Sequence, residues 1–470
     1  MLTLSVEMLV SVTGGTLLQG SADTMVNGVF TDSRSIEPGG LFVAFEGEKV
    51  DGHDYLGPAI GSGARALLVT RSADEMGDVV ESATRRNVAI VRVSDVLAAV
   101  QALARHHRER LFCPVIGVTG STGKTTTKEF LAAVLGTRMK VVSTQGNRNN
   151  ELGVPLTVMD AGADTDVLIV EMAMRGRGQI AELCRIARPT MGLVTNVGMS
   201  HLELLGTQES IAAAKAELVE AIQEEGVVFL NGDDAFSATL ALSSRAPIVT
   251  YGLGDSCDVR AVDITVDDHS LASFDIIAGE VTTPVSLAIP GRHNVYNALA
   301  AAAVAMRLGL EPDQISEGLA GASAGEMRMQ RFTSAGGVHV INDAYNANPT
   351  SMRAAIDTLA GMTSAQRRIA VLGDMAELGS LAELAHFRIG EELADKPVDV
   401  LVTVGERAAR IADGARAEGM EPDRVRPCAT PEEASEVLDD LLEPGDMVLV
   451  KASRVMGLER VVEGIVEPRV

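Results

Sequence analysis

Residues Thr119 to Thr127 read TGSTGKTTT, a run of glycines, hydroxyls and one lysine whose spacing suits a bound phosphate. Glycines let the backbone approach an anion closely, and the N–H groups at the start of a following helix point toward it. Lys124 would reach the terminal phosphates of a nucleotide, and the Thr125 hydroxyl would hold Mg2+. Thr119, Gly120, Ser121, Thr122, Gly123 and Thr126 complete the expected cradle. The usual G-x-x-x-x-G-K-[ST] template fails by one position, because the residue five before Gly123 is Val118. Gly120 takes that role in a tighter loop, and the expected ligand is ATP.

The elements that must position this loop are legible on both sides of it. Pro114 to Val118 (PVIGV) is a short apolar run of the kind a buried strand shows, and Lys128 to Leu135 spaces Phe130, Leu131, Val134 and Leu135 as a helix would. The runs 115–118, 167–170, 192–197 and 227–230 are apolar, with helical segments between them. That alternation predicts a mostly parallel sheet with helices on both faces and ligands at the carboxyl ends of its strands. Segment 258–289, rich in β-branched residues and carrying a GEVTTP turn, reads as a small antiparallel addition, and 294–308 as a helix.

Strand ends supply further candidates. DVLIVEM stops at Glu171, and TNVGMSHLE places Asn196 and His201 after the next strand. A carboxylate and an imidazole there could both reach Mg2+ held by Thr125, or they could be a surface carboxylate and a loop histidine. From Thr207 to Glu224 a helix is expected, with Ile211, Leu218, Val219 and Ile222 on its apolar stripe and Glu217, Glu220 and Glu224 opposite. Lys215 falls inside the stripe. Either its stem lies on apolar surface while the ammonium snorkels to water, or desolvation lowers its pKa and leaves a reactive neutral amine.

At 470 residues, a length of about 150 per domain predicts three domains. The expected fold is α/β throughout: a small α/β domain over 1–110, a central P-loop parallel-sheet domain with the antiparallel addition over 111–324, and a Rossmann-like domain over 325–470. The first carries strand-like runs at 41–45 and 66–70 and a helix over 95–110 that ends in HHRER, read as a solvated linker. The third carries apolar runs at 338–341, 369–372, 398–404 and 447–450, and its VLGDMAELG is not a G-x-G-x-x-G. With 64 acidic against 40 basic residues the net charge is −24, which argues against a nucleic-acid or anionic-membrane partner. Cys113, Cys184, Cys257 and Cys428 show no paired or metal-ligand spacing, which fits a reducing compartment. No stretch has the length and composition of a signal peptide or a spanning helix. The expectation is a soluble cytoplasmic monomer with no membrane insertion.

Ten motifs together resemble the Mur ligases over nearly the whole chain: TGSTGKTTTK, TQGNRNNELGVPLT, VEMAMRG, TNVGMSHLE, AAAKAE, PGRHNVYNALAAAAVA, MRMQRF, NDAYNANPTSM, LGDMAELG and VKASR. Within that family, DAYNANP followed by LGDMAELG resembles the member that acts on UDP-N-acetylmuramoyl-tripeptide and D-alanyl-D-alanine. The resemblance implies ATP-dependent amide ligation through an acyl phosphate. It implies that Ser33 and Arg34 in TDSR contact the uridine end of the sugar nucleotide, and that Asn147, Asn149 and Asn150 face the muramoyl substrate. It makes Glu171 and His201 Mg2+ ligands beside Thr125, and Lys215 a carbamoylated lysine able to hold a second Mg2+. Asn294 and Arg328 become adenosine contacts, with Asp343, Tyr345, Asn346, Lys451 and Arg454 near the nucleotide or the incoming dipeptide. The chain departs from some relatives at EMAMRG, where they carry E-L-G-A-N, and at KASR, where they carry K-G-S-R; neither change removes a charged group with an implied role. Three other readings stay open: a neighbouring Mur step, folylpolyglutamate synthesis, and a nucleotide-switched binding protein without ligation. TDSR argues against folate, the third-domain motifs against the neighbouring step, and Glu171, His201 and an inward Lys215 together against a switch.

Overall fold

A computed structural model of the chain describes residues 1–47, 50–200 and 202–467. These form two compact units, one built from the described residues of 1–117, 139–173 and 179–191, the other from those of 118–138, 174–178 and 192–467. Among the described residues no helix is long and apolar enough to cross a membrane.

In the first unit a five-stranded sheet runs in the order Thr16–Gln19, Ala89–Arg92, Ala66–Val69, Leu41–Val43, Val29–Phe30. Its first pair is antiparallel and the rest are parallel. Phe42, Leu67, Val69 and Ile90 from these strands pack with Leu56, Ile60 and Ala83 from its helices. The helix Val96–Arg108 starts on Asp95, whose side chain accepts from the Ala98 N–H at 3.0 Å. It then continues into the charged run as far as Arg108, so the reading of HHRER as a solvated linker is corrected at His107 and Arg108, while Glu109 and Arg110 are exposed. His107 and Arg108 are each only 8% exposed. A His107 ring nitrogen lies 2.8 Å from the Ala161 carbonyl. The Arg108 guanidinium donates to the carbonyls of Ala187 (2.7 Å), Leu111 (2.7 Å) and Arg188 (3.1 Å). Ala187 ends the helix Gln179–Ala187, and the last carbonyls of a helix carry partial negative charge. A cation can therefore be buried there without a carboxylate partner, which a charge pattern cannot foresee. Strands Val141–Ser143 and Val167–Glu171 pair in parallel register in the same unit.

The second unit carries most of a nine-stranded sheet. Its strands neighbour one another in the order Val281–Ser286, Ala272–Ala278, Val259–Val266, Ile248–Gly252, Val227–Asn231, Met191–Val194. Pairing is parallel from Val227–Asn231 to Val259–Val266 and antiparallel beyond it, so 258–289 is an antiparallel extension of a parallel sheet. Within GEVTTP the turn is only Gly279–Glu280, and VTTP belongs to the strand Val281–Ser286. Pro284 is tolerated because that strand lies at the sheet's edge, where a missing N–H breaks no ladder.

The same unit holds a six-stranded sheet in the order Gln330–Thr333, His339–Asp343, Met447–Lys451, Arg368–Gly373, Val400–Val404, Val425–Cys428. Only its first pair is antiparallel. The three strands Met447–Lys451, Arg368–Gly373 and Val400–Val404 are near-continuous apolar runs, as strands buried on both faces must be. Helices Ala382–Ala394 and Ala409–Ala417 cross at two glycines: a Cβ on Gly390 would lie 2.0 Å from the Ile411 carbonyl oxygen, and one on Gly414 would lie 2.0 Å from that of Phe387. Neither neighbour is a flexible side-chain end. Gly390→Ala is therefore expected to destabilise by about 3 kcal/mol or more through overpacking, read as an early transition in a thermal melt. Gly61→Ala, in the helix Leu56–Ser62 with nothing near its added Cβ, serves as the neutral control.

Candidate active site

The strand Val115–Thr119 is buried along its whole length and delivers the chain to Gly120, and the helix Lys124–Gly136 begins four residues later. The second unit contains the loop and the start of that helix. Gly120 has φ +153° and Gly123 φ +79°, conformations that favour glycine. Space demands glycine as well. A Cβ on Gly120 would lie 1.8 Å from the Thr195 hydroxyl, and one on Gly123 would lie 2.4 Å from Asn297 Oδ1. Lys124 folds back so that Nζ donates to the Gly120 carbonyl at 2.7 Å. Thr125 is buried in the first turn of the helix, and Thr126 is half-buried beside it.

The loop is held by the segment after the strand Met191–Val194. The Thr195 N–H donates to the Thr119 carbonyl at 2.9 Å, and the Ser121 N–H donates to the Asn196 carbonyl at 3.0 Å. The Thr122 N–H donates to Asn196 Oδ1 at 3.0 Å. The sequence marks Asn196 only as a residue after a strand; its tie to Thr122, 74 residues earlier in the chain, leaves no trace in local spacing.

Lys215 lies in the helix Gln208–Ala221 and is 1% exposed. Its ammonium does not snorkel. Burial, and then the nearby Lys124, push its pKa well below the usual lysine range, against a smaller opposing pull from Asp234. The sequence-predicted helix to Glu224 ends at Ala221, with Ile222 turned to extended backbone at its cap. Glu217, expected on the polar face, accepts the Gly178 N–H at 2.6 Å. Asp234 accepts the Val197 N–H at 2.9 Å, which fixes the segment that carries Asn196.

Asn294 opens the helix Asn294–Arg307. It donates to the Pro290 carbonyl at 2.8 Å and accepts from Asn297 at 2.9 Å, while Asn297 accepts from the Thr127 hydroxyl at 3.2 Å. A chain of amides thus connects Asn294 to the helix behind the loop. The neighbouring His293 has its pKa depressed to about 4, chiefly by burial.

Around the six-stranded sheet, Asp343 and Lys451 stand opposite each other in register at the ends of parallel strands. Lys451 is buried and pairs with Asp343, and its ammonium also donates to the Asn346 carbonyl at 3.0 Å. Arg328 stacks on the Tyr345 ring, 3.9 Å from its centroid. It is presented between Met327 and Met329, both at φ +54°. That left-handed backbone is held by the Asp343 carboxylate, which accepts the Met329 N–H at 3.2 Å, and by the Met327 carbonyl, which accepts the Tyr345 N–H at 3.2 Å. Gly325, three residues before Arg328, presents its Cα face to Thr125 and Glu129. The segment at Gly325 therefore runs past the start of the helix Lys124–Gly136. Arg454 donates to the Met327 sulfur at 2.9 Å and pairs with Glu459 at 3.0 Å.

The loop LGDMAELG turns on a buried histidine. His386 accepts the Met375 N–H at Nε2 (2.8 Å), and its Nδ1 donates to the Ala382 carbonyl (2.7 Å). Burial lowers its pKa, and a proton on Nε2 would face the Met375 N–H. The folded chain therefore takes up a proton on His386 at lower pH than the unfolded chain, which does so near pH 6.5. Its contribution to stability is complete above that pH and lost as pH falls toward the depressed folded value. As pH falls from 7.5 to 5.5 the natural chain should lose more stability than His386→Gln, measured by chemical denaturation.

In the first unit Glu171 is 1% exposed, which removes the reading of a surface carboxylate. It accepts from the Asn149 side-chain amide at 2.8 Å, and its N–H donates to the Thr144 hydroxyl at 3.0 Å. Two residues given separate roles by the resemblance therefore touch. Asn147 is exposed, and its carbonyl accepts the Asn149 N–H at 2.7 Å. Asn150 Oδ1 accepts the Gly153 N–H at 2.9 Å, at the start of the helix Gly153–Asp160. Ser33 is buried, and the exposed Arg34 forks onto Asp32, whose carboxyl it holds down at about 2. His201 lies outside the described residues.

Three family descriptions tile the chain: "Mur ligase family, catalytic domain" over 25–108, "Mur ligase middle domain" over 118–305 and "Mur ligase, glutamate ligase domain" over 327–454. A Bacillus subtilis protein named UDP-N-acetylmuramoyl-tripeptide--D-alanyl-D-alanine ligase is 36% identical over 468 residues, 99% of each chain. The crystal structure of MurF from Acinetobacter baumannii matches with a TM-score of 0.85 at 30% identity, covering 99% of both chains. MurF from Thermotoga maritima in complex with ADP matches with a TM-score of 0.76 at 28% identity, over 93% of this chain and 96% of that one. The three-domain α/β fold is common to this chain and its Acinetobacter neighbour. By full-length identity and by all three descriptions, the chain belongs to the Mur ligase family.

Proposed function

We propose that the chain uses ATP to join D-alanyl-D-alanine to UDP-N-acetylmuramoyl-tripeptide, giving the pentapeptide precursor of peptidoglycan in the cytoplasm. The observation that carries this reading is the named Bacillus subtilis relative, which aligns over 99% of both chains and so includes the third-domain motifs. The tripeptide carboxylate attacks the γ-phosphate of ATP, forming an acyl phosphate and releasing ADP. The neutral amine of the dipeptide then attacks the acyl carbon; the amide bond forms, phosphate leaves and the amine loses its proton.

Each domain takes one substrate: residues 1–110 the UDP-sugar through Ser33 and Arg34, 111–324 the ATP, and 325–470 the dipeptide. Two anions meet in the first step and repel unless charge is neutralised. Lys124 and the loop donors serve the phosphates, Asn294 and Arg328 the adenosine, and Asn147, Asn149 and Asn150 the muramoyl group. Asp343 and Tyr345 orient Arg328, while Lys451, Asn346 and Arg454 flank the dipeptide. The buried amine of Lys215, its pKa pushed down by burial, can in its neutral form attack carbon dioxide to form a carbamate, with loss of one proton. Thr125, Glu171, His201 and that carbamate would then hold Mg2+, a set dominated by the oxygen donors the ion prefers. Bound there, Mg2+ would spread the negative charge that builds on the transferred phosphoryl group.

The test is phosphate release from ATP with each amide substrate alone and with both. Release that requires both, with a UDP-muramoyl-pentapeptide product by mass, is the expected result. Absence of release under all conditions would remove the ligase reading.

A further inference from the structure

We propose that Asn196 is a positioning residue of the nucleotide site, one that holds Ser121 and Thr122 against the strand end so that a phosphate is met from Gly123 onward. The proposal rests on the reading of this loop as an ATP site. Asn196 spends its whole side chain on one residue. Its Oδ1 accepts from the Thr122 N–H (3.0 Å) and hydroxyl (3.2 Å), and its Nδ2 donates to the Thr122 carbonyl (3.1 Å) and hydroxyl oxygen (2.9 Å). An amide offers two donors and two lone pairs, so nothing of Asn196 is left to contact a ligand.

The rest of the strand end completes the template. The Thr195 hydroxyl donates to the same Thr122 carbonyl at 2.6 Å. The Asn196 carbonyl takes the Ser121 N–H at 3.0 Å, and the Gly198 N–H donates to the Ser121 hydroxyl at 2.8 Å. Val197 is itself pinned on both sides, its N–H to Asp234 at 2.9 Å and its carbonyl to the Gln208 side chain at 2.6 Å. The N–H groups of Ser121 and Thr122, which a glycine-rich cradle ordinarily turns toward an anion, are thus committed to protein acceptors. What the loop offers a phosphate is set by where Asn196 stops.

Asn196→Ala frees the Thr122 N–H and carbonyl and lets the loop rearrange before nucleotide arrives. The expected result is a rise of about tenfold to hundredfold in the ADP Kd and in KM for ATP, from the loss of two or more hydrogen bonds. KM for the two amide substrates stays within about twofold, since a local loop change has no reason to weaken them. Asn196→Asp keeps the acceptor for the Thr122 N–H but sets a carboxylate oxygen against the Thr122 carbonyl, and should move the same way. Thr122→Val should cost less in the Asn196→Ala background than in the natural chain, because contacting residues are not additive. ADP affinity within twofold of the natural chain in both Asn196 variants would overturn the proposal. So would a parallel rise of all three KM values with a lowered Tm, the signature of a scaffold residue. A natural chain that binds no ADP would remove the ATP-site reading itself, and with it this role.

Discussion

Lys215→Met should lose ligase turnover on the order of 10³-fold, the scale of removing a group that stabilises charge in the transition state, while the protein becomes more stable. The two halves of that result have one cause. Lys215 is 1% exposed, and its pKa is lowered first by desolvation and then by Lys124. In the unmodified chain a lysine with a depressed folded pKa costs stability at every pH below its unfolded value near 10.4, because the unfolded state takes up the proton at higher pH than the folded state does. Methionine fills a similar volume without that cost. A role in packing alone would leave turnover in place; the carbamate reading requires that it vanish. Short carboxylate ions such as formate should restore part of it in a smaller variant, Lys215→Ala, where they can occupy the place of the carbamate. Depleting carbon dioxide should lower the rate of the natural chain and leave the variants unchanged. Turnover within tenfold of the natural chain in Lys215→Met would end the carbamate reading.

Gly120→Ala should reduce kcat/KM for ATP by about 10²-fold or more, the cost of misplacing a catalytic constellation by about 1 Å. The added Cβ would stand 1.8 Å from the Thr195 hydroxyl and 3.0 Å from its Cβ, in a backbone conformation (φ +153°) that L side chains rarely adopt. Thr195 cannot simply turn away, because its hydroxyl holds the Thr122 carbonyl at 2.6 Å. Either the loop or the strand end must move, and the Lys124 amine, which now reaches the Gly120 carbonyl at 2.7 Å, moves with it. Thermal stability should change by only a few degrees, since the strand Val115–Thr119 and the helix Lys124–Gly136 keep their own cores. The comparison of nucleotide affinity with Tm in one variant separates the two effects. Gly136→Ala, with nothing near its added Cβ, is the control in the same helix.

Much of the site is legible in the order of the residues alone. The loop Thr119–Thr127, the strand that precedes it and the helix that follows it come from glycine spacing and 3.6-residue periodicity, both properties of neighbours in sequence. Periodicity also turns Lys215 inward, but cannot choose between a snorkelling ammonium and a buried amine. That choice depends on whether a path to water exists past the surrounding side chains, and at 1% exposure none does. The HHRER run shows the opposite failure. Its charges read as solvated because most are, yet Arg108 finds three carbonyls, two of them on Ala187 and Arg188 at the end of a helix about eighty residues away.

The sequence by itself determined the elements, the phosphate loop, the inward face of Lys215 and membership of the Mur ligase family, because each is written in local order or in motifs that survive as strings. Only the tertiary structure decided which residues hold those parts in place: Asn196 on Thr122, Asn297 behind Gly123, Asp234 on Val197, His386 under Met375. These are contacts between residues brought together by strand order and helix packing. A hydrogen bond between side chains far apart in the chain carries no period, since its partners share a place in the fold and nothing in the spacing that separates them.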